Sequence, residues 1–228
     1  MRTLVISIAV VVSLASCSNL SSKNSQVENE VSYTQIGNDT IFDFENGTVG
    51  KLPFGFTADA TGKAESVKWS VVNDKSNNIV AQQSINTGSC YNLLILDKFG
   101  YQDFIVSVKI KAISGEEDQG GGMVWRYIDK NNYYIARYNP LENNLRFYRV
   151  VNGNRKELKS VDSDIKSGEW FTMTIVMKAN KITCSLNDIK LIETSDDTFK
   201  SAGQIGFWTK ADAVTYFDDL KIITSTVP

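Results

Sequence analysis

"GGGMVWRYIDKNNYYIARYNPLENNLRFYRV", running from Gly120 to Val150, decides the fold. Two polar breaks, Lys130-Asn131-Asn132 and Pro140-Leu141-Glu142-Asn143-Asn144, divide it into three runs rich in aromatic and β-branched residues, which reads as three strands joined by turns. Side chains alternate across a strand. Met123, Trp125 and Tyr127 therefore share one face, opposite Val124, Arg126 and Ile128. Tyr133, Ile135 and Arg137 oppose Tyr134, Ala136 and Tyr138, and Leu145, Phe147 and Arg149 oppose Arg146, Tyr148 and Val150. Each run offers one mainly apolar side and one Arg/Tyr side; for the first run the alternation leaves open which is which. In a sandwich one side enters the core and the other faces outward. Gly120, Gly121 and Gly122 fit a bulge or a close backbone approach where the first run begins.

The same texture extends both ways. Upstream lie "IFDFE", "SVKWSVVND", "NLLILD" and "DFIVSVKIKAIS"; downstream lie "WFTMTIVMKA", "KITCSLND", "IKLIETS", "GQIGFWTK" and "TYFDDLKII". Asn, Gly, Asp and Ser separate them, and "NGNRKE" from Asn152 reads as a hairpin turn. After the first twenty or so residues no amphipathic helix of any length is visible, and without helices a parallel sheet has no cover. The expectation is all-β: a two-sheet antiparallel β-sandwich. The 228 residues fit one such domain with short extras, and 42% hydrophobic residues suffice for its core.

Composition excludes several functions. A net charge of −2 gives no basic field for nucleic acid. Histidine is absent, which removes Ser-His-Asp and Cys-His nucleophilic sites and His-ligated zinc or haem. Acid–base chemistry would fall to Asp, Glu, Tyr or Lys. Cys90 and Cys184 either pair in an oxidising compartment or stay as two separate buried thiols, the simpler reading.

"MRTLVISIAVVVSLASCSNL" opens with Arg2 and an apolar run from Leu4 to Val12, too short to span a bilayer as a permanent helix. The run ends in Leu14-Ala15-Ser16-Cys17, which resembles the lipobox of bacterial lipoproteins. The resemblance implies lipidation of Cys17 and anchoring to the bacterial envelope on the extracytoplasmic side, and Ser18 is compatible with the outer membrane. An ordinary secretory signal cut near Ala15 is the alternative. The polar, aperiodic stretch that follows suits a flexible tether. The expected organisation is a signal peptide over 1–17, a tether over 18–39 and the sandwich over 40–228.

"GEWFTMTIVMKANKITCSLNDIKLIETSDD", "AGQIGFWTKADAVTYFDDLKI" and the opening "FDFENGTVGKLPFGF" resemble the concanavalin A-like lectin/glucanase superfamily, including laminin-G-like and family-16-glycosidase-like jelly rolls. The resemblance covers roughly Thr40 to Ile223 and implies a jelly roll. It does not imply a chemistry, so function must come from the site. Retaining glycosidases need two carboxylates about 5 Å apart, and family 16 sets them in an alternating Glu-x-Asp-x-Glu run. No such run occurs: Glu116, Glu117 and Asp118 are contiguous, Glu142 sits in a turn, and Asp39, Asp43 and Glu45 belong to the first strand. The His that alginate-lyase-type jelly rolls use is missing too.

What the residues do suggest is a carbohydrate surface. Aromatic rings stack on the apolar face of a pyranose, and Arg bonds its hydroxyls or carboxylates. The candidate sugar contacts are Trp125, Arg126, Arg137, Tyr138, Arg146 and Tyr148, with Trp208 at the rim. Cross-strand Tyr–Arg pairs that merely stabilise the sheet are the competing reading. The resemblance further implies a structural Ca²⁺ between the first and last strands, for which Glu45, Asp218 and Asp219 are candidates; solvated edge-strand charges are the alternative. Three functions follow for comparison: a non-catalytic glycan-binding envelope lipoprotein, a glycoside hydrolase or polysaccharide lyase with a non-standard site, and a structural or protein-interaction lipoprotein.

Overall fold

In a computed structural model the described residues are 33–36, 39–97 and 99–224. The expected signal peptide with Cys17 and most of the expected tether lie outside them. Among the described residues there are sixteen strands: β1 (Thr34–Ile36), β2 (Asp39–Phe42), β3 (Phe56–Thr61), β4 (Trp69–Asp74), β5 (Asn77–Gln82), β6 (Tyr91–Leu96), β7 (Phe104–Ser114), β8 (Gly121–Asp129), β9 (Asn132–Asn139), β10 (Asn144–Val151), β11 (Asn154–Asp162), β12 (Trp170–Lys178), β13 (Lys181–Leu186), β14 (Ile189–Ser195), β15 (Gln204–Lys210) and β16 (Val214–Ile223). β1 falls within the stretch expected to be tether and pairs with β2.

The alternation dictates two layers. One sheet runs β1-β2-β16-β7-β12-β13-β14, with the β4–β5 hairpin joined to β16; the other runs β11-β10-β9-β8-β15-β6-β3. All of these strand pairs are antiparallel. β7 and β12 turn Phe104, Val106, Val108 and Ile110, and Phe171, Met173, Ile175 and Met177, inward. β8, β9 and β10 meet them with Met123, Trp125, Tyr134, Ala136, Leu145 and Phe147. Trp125 stacks on Phe147 at 5.5 Å, and Phe207 on Phe217 of the opposite sheet at 4.6 Å. Cys90 and Cys184 are separate, free and buried thiols, and burial pushes both up.

A second, smaller apolar cluster lies on the other side of the seven-stranded sheet. It includes Leu93, Val124, Tyr133, Ile135, Val150 and Trp208, all without solvent exposure. This outward face is closed because the sheet curls on itself at one end. The Thr61 hydroxyl of edge strand β3 donates to the Lys130 carbonyl and lies 2.7 Å from the Tyr133 hydroxyl. Gly153 N–H, in the β10–β11 turn, donates to the Asn131 carbonyl at 2.9 Å.

Among the register shifts, the one in β8 bears on the site. The register of β8 against β9 slips between Trp125 and Asp129, and Arg126 adopts a φ of 51°. Such a bulge inserts an extra residue and re-aims those beyond it. Tyr127 is thereby turned to the outer cluster rather than following Met123 and Trp125 into the core.

Candidate functional site

The curl leaves the opposite end of the outer face to polar residues. β9 brings Arg137 there, β10 brings Asn144, Arg146 and Tyr148, and the β9–β10 turn brings Glu142. Arg137 is only 2% exposed. It donates to Asn144 Oδ1 at 2.7 Å, to Glu142 Oε2 at 2.8 Å and to the Tyr148 hydroxyl at 3.3 Å. Arg146 donates to the same Glu142 oxygen at 3.0 Å, to Glu157 at 3.4 Å and to Ser160 Oγ at 3.2 Å. Register explains the convergence: Arg137 faces Arg146, and Ile135 faces Tyr148. Two facing arginines would repel, and Glu142 between them resolves the conflict. Burial alone would raise the Glu142 carboxyl, but Arg137, Asn144 and Arg146 outweigh it and hold it below the usual carboxylate range.

A second carboxylate approaches from the loop before β8. Asp118 is buried and accepts from Asn139 Nδ2 at 3.1 Å and from Lys210 Nζ at 3.1 Å. Burial pushes its carboxyl up, with Lys210 and then Arg137 opposing. The loop itself is held by Asp212, whose carboxylate accepts from the backbone N–H groups of Glu116, Glu117 and Asp118 at 2.6, 3.1 and 3.0 Å. The outer face thus carries an alternating chain of charge: Lys210, Asp118, Arg137, Glu142, Arg146, Glu157. Glu142 and Glu157 are its open members, with side chains 40% and 45% exposed. Beside Glu142 an open groove of about 650 Å³ is lined by Glu142, Asn143, Asp162, Ser163, Asp164 and Lys166.

Of the seven residues expected to touch sugar, Arg137, Arg146 and Tyr148 come together in this network. Trp125 and Tyr138 instead lie in the core between the sheets. The Tyr138 hydroxyl is turned to the loop after β11, 3.1 and 2.9 Å from the Ser163 and Ile165 carbonyls, and accepts from the Ile165 N–H at 2.6 Å. Arg126 is buried and latches three carbonyls, those of Ser201 at 2.6 Å, Lys200 at 3.2 Å and Ala179 at 3.4 Å. The bulge that re-aims it makes it a structural clamp. Trp208 is on the outer face but fully covered; Arg155 of β11 lies over the rings of Tyr148, Tyr91 and Trp208 at 4.5, 4.9 and 5.7 Å.

The sequence reading missed Asp118, Asn139, Glu142, Asn144, Glu157 and Lys210 as site members. Their signal was the turn itself: a hairpin between two Arg-bearing strands places its own carboxylate beside both. The expected calcium ligands are divided. Glu45 accepts from Asn78 N–H at 3.4 Å and Asp218 from Asn77 Nδ2 at 2.9 Å, so both meet the β4–β5 hairpin. Asp219 turns to Lys109 at 2.6 Å.

Solved structures with this architecture include the carbohydrate binding module CBM66 from Bacillus subtilis, 18% identical, covering 73% of this chain and 94% of that one at a TM-score of 0.61. Domain 4 of AbnA, a GH43 extracellular arabinanase from Geobacillus stearothermophilus solved in complex with arabinotriose, is 12% identical, covers 82% of this chain and 92% of its own, and has a TM-score of 0.53. A putative glycosyl hydrolase from Parabacteroides distasonis is 14% identical, covers 82% and 94%, and has a TM-score of 0.51. At these identities the likeness is one of fold, a jelly-roll sandwich of concanavalin A-like type. No curated protein matches the sequence. The model of one family matches residues 41–223, almost all of the two-sheet domain. The chain belongs to that family, described as the 3-keto-alpha-glucoside-1,2-lyase-like domain.

Proposed function

We propose that this chain is a glycan-binding protein of the bacterial envelope, lipid-anchored through Cys17, and that it binds saccharide at the Arg137–Glu142–Arg146 end of the seven-stranded sheet. The observation that carries the reading is the polar network itself. Arg146, Glu142 and Glu157 present partly exposed charged donors and acceptors at the rim, held in place by the buried Arg137, Asn144 and Tyr148. Directed polar groups on a rigid sheet, beside an open groove, are what a sugar ligand requires. The carbohydrate binding module and the arabinanase domain in complex with arabinotriose, which share the fold, support the same reading by analogy. A calcium ion enters this proposal through Glu45 and Asp218, since Asp219 is engaged by Lys109; it would raise the melting temperature, and EDTA would reverse the rise. The test of binding is a glycan array with wild-type protein and with Arg146→Ala and Glu142→Gln. Loss of a bound glycan class in both variants is expected, at unchanged melting temperature for Arg146→Ala and at a lower one, with the fold retained, for Glu142→Gln. Binding untouched by either variant would remove the site.

A second reading is favoured by the exposed Glu142 carboxylate, held between Arg137 and Arg146 beside an open groove. The family description names a lyase-like domain and 3-keto-α-glucosides. A 3-keto group acidifies the hydrogen on C2. Elimination would move that proton to Glu142, form the C1–C2 double bond and break the C1–O bond, the departing oxygen taking its proton from solvent. Incubation with a 3-keto-α-glucoside should then produce the ultraviolet absorbance of the conjugated enone. Glu142→Gln should abolish it, and no absorbance from the wild type would sink this reading.

A further inference from the structure

Five arginines lie among the described residues, and four of them have protein acceptors. Arg126 holds three carbonyls, Arg137 holds Asn144 and Glu142, Arg146 holds Glu142 and Glu157, and Arg149 holds Asp196 and Thr198. Arg155 is the exception. It has ring contacts only, to Tyr148, Tyr91 and Trp208. Its Nη1 is shut off from solvent without an acceptor, and so is Nε1 of the Trp208 beneath it. The residue as a whole is only partly exposed.

A guanidinium is always charged and carries five N–H donors in a planar fork. Nη1 is out of a ligand's reach, so the edge open to one is that of Nε and Nη2. Stacking on rings uses the face of the group and leaves its edge unused. The acceptor that matches this edge best is a carboxylate, which takes two parallel N–H bonds. Arg155 stands on β11 two residues from Glu157, on the same outward side, where the closed cluster meets the saccharide face: it shares the Tyr148 ring with Arg137.

We infer that Arg155 is the anchor for a carboxylated sugar: the uronate carboxylate pairs with its guanidinium edge, and the sugar runs from there toward Arg146 and Glu142. This rests on the proposed glycan-binding face and names its ligand class. The carboxylate has to compete with water at the exposed nitrogens, so binding is weakened by salt. Uncharged glycans lack the anchoring group and bind through the Arg137–Arg146 network alone.

The experiment is calorimetric titration of the purified protein with three probes: a uronic-acid trisaccharide, its carboxyl-reduced counterpart and a sulfated trisaccharide of the same backbone. Arg155→Ala and Arg155→Lys are titrated in parallel, with melting temperatures to confirm that each is folded. The expected result is tightest binding to the uronic-acid probe, weaker by about tenfold or more for the carboxyl-reduced probe and for Arg155→Ala. Arg155→Lys should fall between, because it keeps the charge and loses the fork. Equal binding of the acidic and reduced probes, unchanged in Arg155→Ala, would overturn the inference and leave the glycan face standing. Arg155-dependent preference for the sulfated probe would overturn the assignment of a carboxylate. Failure of all three probes would overturn this inference, and the glycan array then decides whether the underlying reading falls with it.

Discussion

Arg137 shows how one residue fixes the chemistry around it. A buried guanidinium is tolerable only when most of its donors are matched; Asn144, Glu142 and Tyr148 match those of the two Nη atoms, and Nε alone is left without an acceptor. Arg137→Ala leaves Asn144 and Glu142 without their principal donor, so it should lower unfolding free energy by about 2–3 kcal/mol, read by urea denaturation. Arg146→Ala, at the open rim, should change stability by less than about 1 kcal/mol. Asp212 makes the matching prediction for pH. Burial raises its carboxyl, but three backbone N–H groups outweigh that and hold it below the ordinary value. A depressed carboxyl stabilises the fold above the unfolded-state pKa of about 4, and that stability is lost as pH falls through the folded value. Asp212→Asn should therefore lower the melting temperature at neutral pH and flatten its decline below about pH 4. An equal loss at all pH values would contradict the assignment.

The bulge in β8 dominates among the elements. It turns Arg126 onto the loop carbonyls, and this requires β15 to begin close by. A Cβ on Gly203 would come 2.5 Å from the Arg126 carbonyl carbon. Gly203→Ala should thus cost up to about 3 kcal/mol through overpacking, with the loop carrying Lys200 and Ser201 becoming the first to exchange its amide hydrogens. Protection unchanged there would show that β8 accommodates the methyl. This element also marks how far the sequence could be read. Within each strand alternation separates Tyr134, Ala136 and Tyr138 from Arg137, and Leu145 and Phe147 from Arg146 and Tyr148, because a period of two survives wherever pairing is regular; it does not say which face is the core, and Tyr138, expected at the sugar, lies in the core. It could not place Tyr127 or Arg126, since a single inserted residue reverses every later side chain and leaves no local mark beyond the glycines. Nor could it find Asp118 and Glu142 as partners. Loop residues have no periodicity, and only the pairing of β8, β9 and β10 brings those carboxylates to Arg137.

For the molecule as a whole, the curl of the seven-stranded sheet sets what can bind. The aromatic end, with Trp208, Tyr91 and Tyr133, is folded shut by the contacts of Thr61 and Gly153. An aromatic platform lying open along the whole sheet, which the composition suggested, is therefore not what forms. Saccharide is left the polar end, between Arg155 and the groove at Asp162 and Asp164. The most direct test of this division is a heteronuclear NMR titration of the ¹⁵N-labelled protein with the strongest oligosaccharide from the array. The account expects the shifted backbone and arginine side-chain signals to cluster on Arg137, Glu142, Asn144, Arg146 and Arg155. Shifts confined to the opposite sheet, around Trp170 or Tyr216, would contradict it.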